Sequence, residues 1–141
     1  MRISDVMTPN PRTVTPAETL QLAAQAMDEL NVGVLPVCES GRLIGMLTDR
    51  DIVIRSTSAG QDPRTATVAD AMTASVQSLR KDAAIADAVK LMEAHQLRRL
   101  PVTDADGAVV GIVSLGDLAD AGAPEATQVL GAISNPAEPD R

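Results

Sequence analysis

The sequence predicts an α+β protein made of two β-α-β-β-α repeats related by pseudo-twofold symmetry. ISDVMT at residues 3–8 matches VADAMT at 68–73 with an offset of 65 residues, and LPV at 35–37 matches LPV at 100–102. The phrase GMLTDRD at 45–51 returns as GIVSLGD at 111–117, one residue further on because the second hairpin turn is longer. Matches that keep one order and nearly one spacing indicate an internal repeat.

The helix of the first repeat is predicted from its capping residues and apolar spacing. Thr15 and Glu18 have the spacing of a capping box, and Pro16 suits the first helical position. A helix is therefore expected over residues 16–30. Its apolar face is predicted from residues at helical spacing: Leu20, Ala24 together with Ala23, Met27 and Leu30.

The remaining elements of the first repeat form a hairpin and a second helix. VGVLPVC at 32–38 predicts a short buried strand, Ser40-Gly41 a turn, and RLIGMLT at 42–48 the returning strand. DRDIVIRS at 49–56 is expected to begin a helix.

The second repeat is interpreted in the same way. Asp82 is expected to cap a helix that carries Ile85, Val89 and Met92 on one face. RRLPVT and AVVGIVS predict a hairpin around Asp106-Gly107, and LGDLADA begins the last helix.

These elements give four predicted segments. Repeat 1 occupies residues 1–56, a polar and turn-rich linker 57–67, and repeat 2 residues 68–121. Residues 122–141 are expected to form a short helix from Pro124 and a frayed tail. The apolar side of that helix is predicted from four residues: Ala126, Val129, Leu130 and Ile133.

Composition excludes several functional classes. The 141 residues are 45% hydrophobic but contain no Phe, Tyr or Trp, so platforms for stacking single-stranded nucleic acid are absent. A net charge of −7 argues against general nucleic-acid binding. No apolar run is long enough to span a bilayer and no signal peptide is visible, so a cytoplasmic protein without membrane association is expected.

The single Cys and single His predict neither an internal disulfide nor a Cys/His zinc site. Cys38 is expected to be a small core residue, and His95 to complement a helix C-terminus. Met7 and Met72 are interpreted as core or interface fillers rather than ligands. No metal ligand set and no catalytic set are predicted.

The repeated phrase admits two interpretations. A Ser or Thr followed three residues later by Asp is a capping box, a general device that stabilises the start of a helix. The same helix start also exposes N–H groups that suit a phosphate, while the carboxylate can accept hydrogen bonds from a ribose diol. Gly45 and Gly111 lack a Cβ atom, so a ligand or another strand can approach their backbone.

The ordered motifs resemble the CBS domain, the regulatory repeat named for cystathionine β-synthase. The resemblance rests on the two D-x-M-T openings, the two LPV strands and the two G-h-h-[ST]-x-x-D phrases, and it covers about residues 1–120. The chain is similar to a tandem CBS pair, or Bateman module, and especially to stand-alone bacterial two-repeat proteins of the hypoxic-response type. The resemblance implies clefts between the repeats that hold adenine nucleotides or related adenosyl ligands, and assembly as a homodimer.

The resemblance also implies roles for individual residues. Thr48 and Ser114 would contact phosphate or ribose oxygens, and Asp51 and Asp117 the ribose. Backbone groups of Thr13-Val14 and Ser78-Leu79 would meet the edge of the base. Without aromatic residues, the walls around the adenine would be aliphatic: Val14, Val34, Pro36, Leu79 and Pro101.

The two predicted sites are not equal. Arg98 and Arg99 precede the second LPV, where the first repeat has Gly33 and Val34. Arginine suits phosphate because its planar fork bonds two oxygens at once. The alternative for this pair is a solvated strand edge. Arg50 could also turn toward phosphate, with pairing to Asp49 as the alternative.

The sequence therefore predicts a non-catalytic regulatory module that senses an adenine nucleotide, AMP, ADP or ATP, with no required cofactor. The alternative is a CBS dimer without a ligand that acts as a scaffold for an unidentified protein partner. An enzyme or metal protein is the least favoured hypothesis.

Overall fold

The protein is described by a computed structural model, of which residues 1–121 are described here. The helix predicted from Pro124 lies outside the described residues. The chain divides into two compact units. Unit 1 contains Met1–Asn10 and the chain from Gln77 onward, and unit 2 contains Pro11–Val76. Each unit thus takes its D-x-M-T opening from one repeat and its hairpin from the other.

In chain order, the described elements begin with a short 3-10 helix at Ile3–Asp5 and β1 at Thr8–Pro9. The first hairpin and its helices follow: α1 at Leu20–Leu30, β2 at Val34–Glu39, β3 at Arg42–Thr48, α2 at Asp49–Asp51 continuing as a π-helix at Ile52–Thr57, and α3 at Val68–Ala71. The chain then forms β4 at Thr73–Ala74, β5 at Leu79–Arg80, α4 at Ile85–His95, β6 at Arg99–Thr103, β7 at Val109–Ser114 and α5 at Leu115–Asp120.

The sheets of the two units have the same plan. Unit 1 has the order β1-β7-β6-β5, in which β5 runs parallel to β6 and the other pairs are antiparallel. Unit 2 has the order β2-β3-β4, and Val14 makes a parallel bridge with Val37 at the position that β5 takes in unit 1. In both units the outer antiparallel strand, β1 or β4, comes from a D-x-M-T opening.

In each unit a long helix packs against one face of the sheet, α1 in unit 2 and α4 in unit 1, where α5 also contributes to the core. In unit 2, Leu35, Val37 and Leu47 face α1, which contributes Leu20 and Met27. The buried core of unit 1 has the same organisation: Ile3, Leu79, Ala88, Val89, Met92, Leu100, Val102, Val113, Leu115 and Leu118. Burial of aliphatic side chains against one sheet face is the main contribution to stability in a chain without aromatic residues.

Both predicted hairpins are confirmed, although β2 spans Val34–Glu39 rather than the predicted residues 32–38. β3 spans Arg42–Thr48 as predicted, and Ser40 and Gly41 both have positive φ angles, 52° and 77°, as a tight turn between twisted strands requires. β6 and β7 likewise form the predicted second hairpin, with Gly107 at φ 84° in its turn.

The predicted start of the first helix is wrong. α1 begins at Leu20, with Thr19 rather than Thr15 as its N-cap; the Thr19 hydroxyl accepts a hydrogen bond from the N–H of Leu22. The Glu18 carboxylate does accept the Thr15 N–H at 2.8 Å, but this pair closes a turn that precedes the helix. The carbonyl of Ala66, in the predicted linker, accepts the N–H of Leu20 and so fixes the helix start.

The predicted face of α1 is confirmed for Leu20, Ala23 and Met27, which are buried, but is wrong for Ala24 and Leu30. Ala23 and Ala26 are buried, whereas Ala24 is exposed and Leu30 is 50% exposed. The predicted cap of the second helix is wrong as well. α4 begins at Ile85 after Ala84, so Asp82 lies too early to cap it.

The two glycines of the repeated phrase lie against the D-x-M-T openings. A Cβ atom on Gly45 would lie 2.5 Å from the Thr73 carbonyl oxygen, and one on Gly111 would collide with the Met7 side chain. Of the two expected reasons for these glycines, the structure supports the approach of another strand. Met7 and Met72 both pack against a core, as predicted for fillers.

Candidate ligand site

The repeated phrase forms the same reciprocal hydrogen bonds in both units. The Thr48 hydroxyl accepts from the Asp51 N–H, and the Asp51 carboxylate Oδ2 accepts from the Thr48 N–H, both at 3.0 Å. Ser114 and Asp117 repeat this arrangement with the same two distances. Both pairs are therefore capping boxes at the junction of a strand and a helix.

The caps leave two polar functions of each pair unused. A hydroxyl has one proton to donate besides the lone pairs with which it accepts, and a carboxylate has two oxygens. The cap occupies a lone pair of the Ser114 hydroxyl and Oδ2 of Asp117. Among residues 1–121, no hydrogen bond uses the hydroxyl proton of Ser114 or Oδ1 of Asp117. The half-buried pair thus presents one donor and one charged acceptor, as does the pair of Thr48 and Asp51.

An aspartate that accepts the N–H three residues before it is common in this chain. Asp5, Asp70 and Asp87 make the same bond to Arg2, Thr67 and Ala84. In none of these three places does a hydroxyl accept the aspartate N–H in return. An aspartate at this position is therefore a common way to begin a helix in this chain. The two phrase sites differ from the other three because a Thr or Ser hydroxyl also accepts the N–H of the aspartate.

The residue across the ladder differs between the units. Val34 lies opposite Thr48 in unit 2, and Arg99 lies opposite Ser114 in unit 1. The Leu115 N–H donates to the Arg98 carbonyl, which makes Arg99 and Ser114 a pair without mutual backbone bonds. Side chains of such pairs lie closest and on one face of the sheet. The side chain of the exposed residue Arg99 therefore begins beside that of Ser114.

The other charged candidates lie around the same junctions. Arg98 is half-buried and immediately precedes β6, while Gly33 holds the matching place before β2. The Arg50 N–H donates to the Asp49 carboxylate at 2.8 Å, but within residues 1–121 the only ion pair joins Arg64 and Asp62. Arg50 is exposed at the start of α2, so its side chain remains available to a phosphate.

The early strand segments are placed with their side chains in the cores. Val14 is 2% exposed and Leu79 is 9% exposed, and each belongs to the core of its own unit rather than to a binding wall. The Val14 N–H donates to Pro36, and its carbonyl accepts from Cys38. Thr13 is half-buried and Ser78 exposed, which leaves these two residues as the better sources of backbone contacts to a base.

The other predicted wall residues share a sheet face with the hydroxyls. Pro36 lies two residues after Val34 on β2, and Pro101 two residues after Arg99 on β6, so strand alternation puts each on the face of Thr48 or Ser114. Sequence reasoning missed Met46 and Ile112, which lie opposite these prolines on the same faces. Counting back two residues from each hydroxyl would have found both.

The sixteen predicted site residues divide equally between the units. Unit 2 contains eight of them: Thr13, Val14, Val34, Pro36, Gly45, Thr48, Arg50 and Asp51. Unit 1 contains the other eight: Ser78, Leu79, Arg98, Arg99, Pro101, Gly111, Ser114 and Asp117. Each unit brings together a hydroxyl, a carboxylate, an apolar proline and at least one arginine, the group types that a nucleoside phosphate requires.

The described residues offer few candidate ligands for a metal ion. Within residues 1–121, no group of three or more His, Cys, Asp or Glu side chains lies close enough to hold an ion. Burial raises the pKa of the Cys38 thiol above its usual value of 9.0, which disfavours the thiolate that binds metals. His95 is exposed in the last turn of α4, the position expected for it.

A comparison with protein families decides the classification. The CBS domain model matches residues 3–57 and again residues 68–123. The chain belongs to the CBS domain family. As a tandem CBS pair it is a regulatory module, and the predicted family and fold are confirmed.

Similar proteins support this classification. The chain is 47% identical over 117 residues to the CBS domain-containing protein YhcV of Bacillus subtilis, covering 83% of this chain and 82% of YhcV. It is 44% identical over 116 residues to Hypoxic response protein 1 of Mycobacterium tuberculosis, covering 82% and 80%. It also matches inosine-5'-monophosphate dehydrogenase of Methanocaldococcus jannaschii at 33% identity, but over 20% of that enzyme only.

Two solved structures are informative about ligands. Hypoxic Response Protein I, crystallised with two coordinated zinc ions, has a TM-score of 0.78 and 41% identity, covering 85% of this chain and 98% of that one. CBSX2 in complex with AMP has a TM-score of 0.74 and 30% identity, covering 85% and 94%. CBS proteins of this fold thus include one with AMP and one with zinc.

None of the helices within residues 1–121 has both the length and the apolar character required to cross a bilayer.

Proposed function

We propose that this CBS pair senses an adenine nucleotide or a related adenosyl compound, bound by the residue sets that contain the repeated phrase. A change in occupancy would then alter the shape of the module or its affinity for a partner protein. The support from related proteins is the AMP complex of CBSX2, which shares the fold and 30% of the aligned residues.

The observation that carries the proposal is the pair of unused functions at each capping box. Because the caps use one carboxylate oxygen and a hydroxyl lone pair, a ligand has no cap to displace. Oδ1 of Asp117 accepts a ribose hydroxyl, and the Ser114 hydroxyl donates to a ribose or phosphate oxygen. The same contacts are available to Asp51 and Thr48 in unit 2.

The rest of the ligand is assigned to neighbouring groups. Phosphate contacts come from Arg99 in unit 1 and from Arg50 in unit 2. We assign the adenine to the sheet faces on which the half-buried Met46 and Ile112 lie beside the buried Pro36 and Pro101. Backbone groups near Thr13 and Ser78 would contact its edge. Without aromatic stacking we expect micromolar dissociation constants, which correspond to about 8 kcal/mol.

The first test is titration calorimetry of the purified chain against AMP, ADP, ATP, NAD, S-adenosylmethionine and cyclic dinucleotides. Binding of at least one compound supports a sensor. Since the chain has no Trp or Tyr, the ultraviolet band of a co-purified adenine would also stand out after nucleic acid is removed. If none of these compounds binds, the sensor is excluded and the scaffold hypothesis takes its place.

A mutation of Asp117 tests whether the ligand binds at the repeated phrase. Asp117→Ala is expected to weaken binding in unit 1 by about 1–3 kcal/mol, the loss of a charge-assisted hydrogen bond. Asp87→Ala is the matched control, because it removes the same charge and a similar helix-start bond from the same unit at a place without a hydroxyl partner. Equal binding by wild type and Asp117→Ala would contradict the assigned role.

The resemblance to the family also leads us to propose a homodimer, which sedimentation equilibrium of the full chain tests. A single monomer mass across the accessible concentration range would exclude it.

A further inference from the structure

The two units carry opposite formal charge around the phrase. In unit 2, positions 33, 34 and 48–51 contain two aspartates and one arginine, a net charge of −1. In unit 1, the matched positions 98, 99 and 114–117 contain two arginines and one aspartate, a net charge of +1. The two units should therefore differ in their relative affinity for a nucleoside triphosphate and an uncharged nucleoside.

Arg99 is the residue through which this difference acts. It stands directly across the ladder from Ser114, in a pair of the kind whose side chains approach most closely. Arg99 is an exposed residue, and no ion pair within residues 1–121 involves it. Arg98 already has an interaction of its own and is half-buried, so it is not assigned this role.

Unit 2 offers no equivalent group. Val34 takes the place of Arg99 opposite Thr48, is 9% exposed and brings only methyl groups to that position. The charge of Arg50 is flanked by Asp49 and Asp51, whose carboxylates oppose the approach of further phosphate charge.

We propose that Arg99 makes the two ligand sets selective for phosphate number. On the basis of the proposed function, unit 1 takes adenosine di- or triphosphate, and unit 2 takes adenosine with one phosphate or none. A guanidinium group can donate hydrogen bonds to two phosphate oxygens at once, whereas a valine in the same place forms neither a hydrogen bond nor an ion pair with a phosphate. The pair of sites thereby compares highly and weakly phosphorylated forms of one nucleoside.

The experiment is calorimetry with ATP, ADP, AMP and adenosine on the wild type and on Arg99→Val, which gives unit 1 the residue of unit 2. ATP affinity at the tighter site should fall at least about tenfold, as expected for loss of a charge-assisted contact, while adenosine affinity changes less than about twofold. Arg99→Lys should recover part of the ATP affinity because it restores the charge without the fork.

Lys90→Met is the control for net charge. Lys90 is exposed on α4, the helix that packs on the opposite face of the β6–β7 sheet from Arg99, so its loss should leave the ATP-to-adenosine ratio unchanged. Raising the salt concentration should weaken ATP binding to the wild type more than to Arg99→Val, since exposed charges are screened.

The outcomes separate the two levels of inference. Suppose that the wild type binds adenosine compounds. If Arg99→Val then lowers the ATP and adenosine affinities by the same factor, or changes neither affinity, the proposed selectivity of Arg99 is wrong but the proposed sensor function remains. If the wild type binds no adenosine compound, the proposed function fails and the selectivity fails with it.

Discussion

Unit 1 and unit 2 share a strand order and a capping box but differ in what surrounds that box. Opposite the hydroxyl, unit 1 has the exposed Arg99 and unit 2 the buried Val34. A Cβ atom on the phrase glycine would meet the Met7 side chain first in unit 1, with the Thr8 carbonyl oxygen at 3.0 Å, and the Thr73 carbonyl oxygen first in unit 2. The comparison shows that both repeats keep the hydrogen bonds of the capping box, while the residues that neighbour the box differ.

The largest expected effect tests the exchange of openings between the units. Ile3 is fully buried in the core of unit 1 although it is the third residue of the chain. Ile3→Ala should lower the free energy of unfolding by about 2–5 kcal/mol, because it leaves a cavity in a packed core. Urea unfolding followed by far-ultraviolet circular dichroism measures this in a chain without aromatic residues.

Two controls sharpen that result. Met1→Ala, at a residue 74% exposed, should have almost no effect, and Val68→Ala should destabilise unit 2 through the equivalent position. A change below about 0.5 kcal/mol for Ile3→Ala would place the first opening outside the core and contradict the exchange.

The next effect compares the two phrase glycines. Gly45→Ala should destabilise by about 2–3 kcal/mol, because the new methyl group meets the Thr73 carbonyl of a paired strand. Gly111→Ala should cost less, because the Met7 side chain can change its rotamer and the Thr8 carbonyl oxygen, at 3.0 Å, is farther away than the Thr73 oxygen is in unit 2. The same urea titrations give both values. Equal costs would show that the units pack equally tightly on their openings, and a larger cost for Gly111→Ala would contradict the comparison.

A smaller effect separates the cap from the ligand contact. Asp117→Asn keeps an amide oxygen to accept the Ser114 N–H, so the free energy of unfolding should change by less than about 0.5 kcal/mol. It replaces the second carboxylate oxygen by an NH₂ group, so nucleotide affinity in unit 1 should fall about tenfold. Unfolding and calorimetry of the same preparation test both, and reduced stability with unchanged affinity would mean that Asp117 only caps.

The smallest effect concerns Cys38, whose counterpart in unit 1 is Thr103. Burial raises the pKa of the Cys38 thiol, so the folded state favours the protonated form. This contribution is complete below the thiol pKa of the unfolded chain and is lost as the pH rises through the folded-state pKa. Stability of the wild type should therefore decline slightly more at alkaline pH than that of Cys38→Ala. Parallel pH dependences for the two proteins would contradict this.

Much of the fold could be predicted because local chemistry determines it. Ser40-Gly41 between two apolar runs defined the first hairpin, and the β3 bounds matched. The start of α1 could not be predicted from Thr15 and Glu18, because a distant carbonyl of Ala66 satisfies the Leu20 N–H and Thr19 supplies the cap. Local capping signals are ambiguous where two hydroxyl residues lie one turn apart.

The exchange of openings was beyond sequence reasoning for a different reason. ISDVMT and VADAMT are so similar that either can present its buried aliphatic residue and its methionine to either unit. Only the tertiary contacts, such as Met7 against Gly111, decide which opening joins which hairpin. At the site, the phrase itself was predicted, but Met46 and Ile112 were missed because the phrase defines them only as apolar positions, which are equally typical of core residues.

The central claim is that the cap and the ligand use different atoms of the same aspartate. A crystal structure of the full chain grown with saturating nucleotide tests it most directly. We expect Oδ2 of Asp117 to remain on the Ser114 N–H at about 3 Å while Oδ1 accepts a ribose hydroxyl, a normal hydrogen-bond distance for both. A bound nucleotide that leaves Oδ1 of both Asp117 and Asp51 without contact would contradict the account.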